Sequence, residues 1–393
     1  MGYVGQSIKR VEDPRFLQGK GSYVANLHIP GMVYLAVKRS PYGHARIKKI
    51  DTRKAAALPG VVGVFTGQDL LDGGCGPLPC GWNVPDLKTP KRHAITVDKA
   101  RHVGDAVAVV AAESPYIAAD AVDLIDVTYE PLKAVIDARG TTEKGAPLVH
   151  DEIAGNVSYF WALGDKPACE KAFADAHKVV ELELVNQRLI PNAMEPRACV
   201  AHWSSATEEM IVWTTSQNPQ PIRLLLSAFT LGIPENRLRV ISPDVGGGFG
   251  SKIFHYPEEV ITPWVARKLN RPAKWVATRS ESSITDSHGR DHVTVAKLAL
   301  DKNGIFTGLH VQTWANMGAY LSTFAPLIPT ALYVTLFAGL YRMKGVWGEV
   351  WGTLSNTVPV DAYRGAGRPE ASYMLERLVD LAARDMNMDP VEI

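Results

Sequence analysis

The sequence is short of cysteine. Its four, Cys75, Cys80, Cys169 and Cys199, form no CxxC pair. A plant-type iron–sulfur site needs more cysteines at short spacing, so the chain is expected to carry no cluster of its own. Scattered thiols fit a reduced, cytoplasmic protein. Excess charge of one sign is missing too, since 42 Lys and Arg against 41 Asp and Glu leave a formal net charge of +1. No global field then recruits nucleic acid or a membrane surface. No apolar run reaches the roughly 18 residues of a spanning helix. The longest, Phe324–Leu340, holds two prolines and reads as buried core. The opening "MGYVGQSIKRVEDPRF" lacks the apolar stretch of a secretory signal, and it lacks the Ser or Thr that myristoylation needs at the sixth position. Internal repeats and low-complexity tracts are absent as well.

What is present is ordinary globular sequence, 393 residues long with 46% hydrophobic and 21% charged residues. That length suits two or three domains. Up to about residue 140 the pattern is mixed α and β. "GDAVAVVAAE" (Gly104–Glu113) is short, apolar and Val-rich, as a buried strand is. "SPYIAADAVDLI" follows as a helix with Ser114 as N-cap and Pro115 in its first turn. "DVTYEPLKAVID" then returns as an extended segment. Residues 141–156 are polar and glycine-containing, and read as a linker. Residues 157–393 form the second domain. In it, apolar spacing predicts helices over 221–237 and 257–270, and a strand at Leu238–Val245. A further helix spans Arg368–Asp385. "DPVEI" then offers Asp389 as N-cap and Pro390 at the first helical position, so a new helix is expected to start there. Either a truncated polypeptide or completion of the domain by another chain would explain a stop at that point.

Between the strand and the helix before residue 257 lies "SPDVGGGFGSK" (Ser242–Lys252). It is not a Walker A loop. Counting from Gly246, Ser251 stands where glycine is needed, and Ile253 follows the lysine. It is not the G-x-G-x-x-G dinucleotide pattern either, again because of Ser251. Consecutive glycines still let backbone N–H groups converge on an anion or a rigid cofactor. A plain tight turn between strand and helix is the alternative.

Three further motifs accompany the loop: "TTSQNPQ" (Thr214–Gln220), "SHGRDH" (Ser287–His292) and "DAYRGAGRPEASYMLERLVD" (Asp361–Asp380). With the opening "GQSIKRVEDPRFLQGKGSYVANL" and in this order, they resemble the molybdenum-binding subunit of the xanthine dehydrogenase, aldehyde oxidase and carbon monoxide dehydrogenase family. The resemblance runs along essentially the whole chain. It implies an α+β protein: an α/β hammerhead-like domain over 1–140, then the first half of a mixed α/β molybdopterin-binding domain. The implied cofactor is molybdenum–molybdopterin in its cytosine dinucleotide form. The implied reaction is hydroxylation of an N-heterocycle or aldehyde with oxygen from water. The implied partners are an iron–sulfur (2Fe–2S) subunit, an FAD subunit and a second molybdopterin-domain chain.

The resemblance also assigns residues. Gln217 is expected to hydrogen-bond a molybdenum oxygen ligand through its neutral amide. Gly247, Gly248, Phe249 and Gly250 are expected to lie against metal and pterin by their main chain. Arg364 is expected beside the metal through its backbone N–H, with Gly365 and Ala366 leaving room for substrate. Arg290 is expected to orient substrate, a surface salt bridge being the alternative. Glu195 in "NAMEPRA" is expected to be structural and paired with a nearby donor. "AYRGAGR" looks like the aldehyde-oxidase-like branch. It carries no cysteine, so a copper–molybdenum centre is not expected, although a carbon monoxide dehydrogenase-type subunit stays an alternative. Ile253 stands where purine hydroxylases carry a glutamate, which argues against xanthine. The family's general-base glutamate comes from a region that has no counterpart here. The chain is therefore expected to need a partner for it, or else to be a non-catalytic assembly piece.

Overall fold

The computed structural model describes residues 2–393. Three sheets organise them. The largest has seven strands in the order Leu238–Ile241, Glu209–Thr214, Ala198–Ser204, Ala273–Val276, Val33–Arg39, Ala106–Ala112, Val61–Thr66. It draws three strands from before residues 141–156 and four from after. The join is the parallel pairing of Val33–Arg39 with Ala273–Val276. Every residue of Ala106–Ala112 is buried, which explains its unbroken apolar run. A five-stranded sheet follows the order Val157–Gly164, Gly345–Leu354, Phe306–Gly318, His292–Leu300, Lys178–Asn186. A small three-stranded sheet holds Lys99–Ala100, Ala45–Asp51 and Asp126–Pro131.

Local chemistry explains the helices. Ser114 caps Pro115–Asp123 by accepting the Ile117 N–H at 3.2 Å. The C-terminal helix, Arg368–Met386, buries Ala371, Met374, Leu375, Leu378, Val379 and Ala382 on one stripe. That stripe packs on Lys178–Asn186 and His292–Leu300. Pro257–Leu269 is buried on all sides from Pro257 to Ala266, Glu258 and Glu259 included. Two buried carboxylates require partners, and they have them. Glu258 binds Arg39 and Arg197, each at 2.6 Å. Glu259 accepts from Thr214 Oγ1 at 2.7 Å and from the Tyr256 N–H at 3.0 Å.

Two expected helices differ. The one placed at 221–237 starts earlier, at Pro219, is α-helical to Leu225, then widens into a π turn over Leu226–Leu231. Gly232 ends it. "DPVEI" forms a single turn rather than a helix, with Asp389 Oδ1 accepting the Val391 N–H at 2.8 Å. The 141–156 segment is tightly pinned. Buried Asn156 donates to Thr141 O and Pro147 O and accepts the Val149 N–H, all within 3.0 Å. No helix of the described residues is long and apolar enough to cross a membrane.

Candidate functional site

The strand Leu238–Ile241 delivers the chain into the glycine loop, and the helix at Pro257 carries it away. Glu195 anchors the loop's start. Its Oε2 accepts the Gly246 N–H at 2.6 Å and the Lys252 ammonium at 2.9 Å. Lys252 is buried. Burial pulls its pKa below the ordinary lysine value, and Glu195 works against that fall. The pairing with a nearby donor expected of Glu195 is present. Tyr256 anchors the loop's end by donating its hydroxyl to Ser251 O at 2.6 Å. Asp244, just before the glycines, receives Arg15 and the Ser22 N–H; their hydrogen bonds hold its carboxyl down at about 2.

Inside that frame the N–H groups of Gly247, Gly248 and Phe249 donate to no acceptor among the described residues. The next one, Gly250 N–H, donates to Gln217 Oε1 at 3.0 Å. A backbone N–H can pair only with the amide oxygen, so this bond fixes which way the Gln217 side chain faces. The Gln217 NH2 then remains as a free donor beside three free backbone donors. A Cβ at Gly248 would run into the Gln217 side chain, so the close approach requires glycine there.

The arginine loop lies against this wall. The Ala362 carbonyl oxygen is 2.5 Å from where a Gly250 Cβ would stand, and Gly250 has φ +100°. Only glycine meets both conditions. Here Arg364 departs from expectation. Its backbone N–H donates to Phe249 O at 2.9 Å, so it is occupied within the protein. The cause is the edge-to-edge approach of the two loops, which puts that N–H opposite a carbonyl. The exposed Arg364 guanidinium lies 5.7 Å from the Phe249 ring centre. Gly365 is exposed and Ala366, at φ +30°, is half-buried at the same end of the loop.

Arg290 also departs from expectation. It is neither at a surface nor directed at open space. Its guanidinium is buried and donates to Glu370 Oε1 and Tyr363 O at 3.0 Å each, and to Arg364 O at 2.8 Å. Glu370 was missed in the sequence. The signal was available, because residues 370, 374 and 378 share one helical face and a lone carboxylate on a buried stripe needs a cation. Burial pushes the Glu370 carboxyl above its ordinary range, with Arg290 working against that rise.

The comparisons with known proteins agree with this construction. Residues 149–393 match the family described as "Molybdopterin cofactor-binding domain", and residues 18–133 match "Aldehyde oxidase and xanthine dehydrogenase, a/b hammerhead domain". The chain belongs to the molybdenum-subunit family of xanthine dehydrogenases and aldehyde oxidases. Among relatives of this molybdenum subunit, the carbon monoxide dehydrogenase large chain of Hydrogenophaga pseudoflava is 36% identical, over 97% of this chain and 48% of the relative. The crystal structure of quinoline 2-oxidoreductase from Pseudomonas putida 86 superposes with a TM-score of 0.94 at 34% identity, covering 100% of this chain and 49% of that one. The chain thus spans about half the length of the curated relatives it matches first. The nicotinate dehydrogenase large molybdopterin subunit of Eubacterium barkeri, 29% identical, is covered over 88% of its length.

Within this molybdenum-subunit fold, Gln217, Gly247, Gly248, Phe249, Gly250, Arg364, Gly365 and Ala366 converge on the two facing loops. Arg290 stands behind them. The donors present suit a group rich in anionic oxygens, because the N–H groups of Gly247, Gly248 and Phe249 have no acceptor among the described residues.

Proposed function

We propose that this chain is the cofactor-holding part of a molybdenum hydroxylase that oxidises an N-heterocycle or an aldehyde. The observation that carries the reading is the row of unused N–H donors at Gly247–Phe249 beside the tethered Gln217 amide. A molybdenum–pterin group bound there supplies a two-electron oxidation with water as oxygen source. Gln217 would hold an oxygen ligand of the metal through its NH2. Gly247, Gly248 and Phe249 would hold anionic oxygens by main chain, and the Phe249 ring would exclude water. Arg364 closes the cleft by its bond to Phe249, and Gly365 and Ala366 leave space for a flat substrate. The cofactor is the cytosine dinucleotide form. An iron–sulfur subunit and an FAD subunit take the electrons, and a second polypeptide supplies the general-base glutamate. Nicotinate and quinoline, named for two relatives, are N-heterocycles, which supports that substrate class. Four free cysteines suit a cytoplasmic setting.

The test is purification of the chain with whatever co-purifies, followed by molybdenum analysis and fluorescence of the oxidised pterin. Stoichiometric molybdenum, pterin and released cytidine monophosphate are expected; a complete complex without molybdenum or pterin would sink the reading. Carbon monoxide oxidation is a second reading, favoured by the 36% identity to a carbon monoxide dehydrogenase large chain. The absence of cysteine from residues 361–368 speaks against it, and a copper assay on the same preparation separates the two.

A further inference from the structure

We infer that Arg290 and Glu370 are positioning residues that set the spacing of the two loops and, through it, the direction of the Gln217 amide. The inference rests on the cofactor reading above.

The argument is a continuous series of contacts. Arg290 takes hold of two successive carbonyls of the arginine loop, Tyr363 O and Arg364 O. Gripping the Arg364 carbonyl fixes the neighbouring peptide planes. The Arg364 N–H then meets Phe249 O at 2.9 Å. Phe249 O and the Gly250 N–H belong to adjacent residues, and that N–H holds Gln217 Oε1 at 3.0 Å. A shift of the arginine loop is therefore passed to the free NH2 of Gln217. Glu370 keeps Arg290 in place by charge. Both side chains are nearly inaccessible, at 6% for Arg290 and 1% for Glu370.

The local backbone shows that this grip is not incidental. Arg290 and Asp291 have φ of +65° and +69°, two consecutive non-glycine residues in the left-handed region. Such strain persists only when surroundings over-determine it. They do. The Asp291 N–H donates to Asn186 O and its carbonyl accepts the Asn316 N–H, each at 3.0 Å. Its carboxylate is held by Arg188 at 2.7 Å, and Arg188 also donates to Val358 O and Thr357 Oγ1. The strained pair aims the Arg290 guanidinium at the two carbonyls. A residue needed only for packing would not require that aim.

The test uses the purified holoenzyme containing this chain. Arg290→Lys keeps the charge but cannot fork to three acceptors. Expected are a melting temperature close to wild type and a changed molybdenum(V) electron paramagnetic resonance spectrum. Turnover should fall about 10–100-fold with little change in KM, as for residues that orient a metal's ligands. A wild-type spectrum and wild-type turnover in Arg290→Lys would overturn the inference. Should Arg290→Lys fail to fold, Glu370→Gln keeps the shape and takes its place. A changed spectrum with slowed turnover in that variant supports the inference, and wild-type values of both overturn it. A wild-type complex without molybdenum removes the cofactor reading itself. A loaded wild type with unaltered variants removes only the positioning role.

Discussion

The two loops that face each other are braced by opposite chemistry. Behind the glycine loop stands a carboxylate, Glu195, which takes a backbone N–H. Behind the arginine loop stands a guanidinium, Arg290, which takes backbone carbonyls. Each brace is a buried ion pair, Glu195 with Lys252 and Arg290 with Glu370. In each, one carboxylate oxygen has no partner among the described residues. The difference lies in what is left over. Glu195 uses one N–H and leaves the next three unused, so that wall presents donors. Arg290 draws two acceptor oxygens back into the protein, so that wall is relieved of groups that would repel an anion. An anionic group between the walls would be favoured by both, and a single type of brace would supply only one.

The largest effect should come from removing the carboxylate brace. Glu195→Ala leaves Lys252 buried without a partner, and about 3–5 kcal/mol of stability is expected to go. A denaturant midpoint measures it, and a loss below about 1 kcal/mol would show that the glycine loop holds itself. Next comes the contact between the walls. Gly250→Ala places a Cβ against Ala362 O at a positive φ, with an expected cost of about 1–3 kcal/mol and loss of bound molybdenum. Unchanged metal content in that variant would mean that the walls need not touch.

Gly248→Ala should do the reverse of a stability mutation. The three atoms nearest its Cβ all belong to the Gln217 side chain, which can move, so stability should change by less than about 1 kcal/mol. The Gln217 tether should nonetheless break, visible as altered molybdenum(V) hyperfine structure. The last effect concerns pH and the arginine wall alone. Burial, the largest influence on Asp361, pushes its carboxyl up to about 7, against the N–H groups of Phe324 and Ala362. The unfolded chain releases this proton near the ordinary 3.8 and the folded chain near 7. The folded state thus holds the extra proton between those values. Stability from this group falls as pH rises through that window and is level above it. Asp361→Asn should flatten that slope, and an unchanged slope would assign it elsewhere.

Much of this was legible in the sequence because it is local. The Ser114 cap, the Val-rich strand, the helix at residue 257 and the glycine run each follow from a few neighbouring residues. The motifs likewise located both loops. What escaped was every contact between them. Residue 249 meets residue 364, and residue 290 meets residue 370, across distances that no local pattern encodes. Hence the expectation for the Arg364 N–H did not include its bond to Phe249 O, and that for Arg290 did not include its bonds to the carbonyls of residues 363 and 364. Glu370 was readable in principle from its helical face, but only to an eye looking for a buried charge.

The pairing of Val33 with Ala273 has a consequence in time. Those residues leave the ribosome 240 positions apart. At about 5–20 residues per second, the wait is on the order of 10–50 s. Until it ends, Val33–Arg39 is the open edge of a three-stranded sheet, ready to capture a wrong strand. The glycine loop is made before Ala273–Val276, and its helix is anchored by Glu258 to Arg39 in that waiting strand. The glycine loop's support is thus incomplete until Ala273–Val276 has been made and paired.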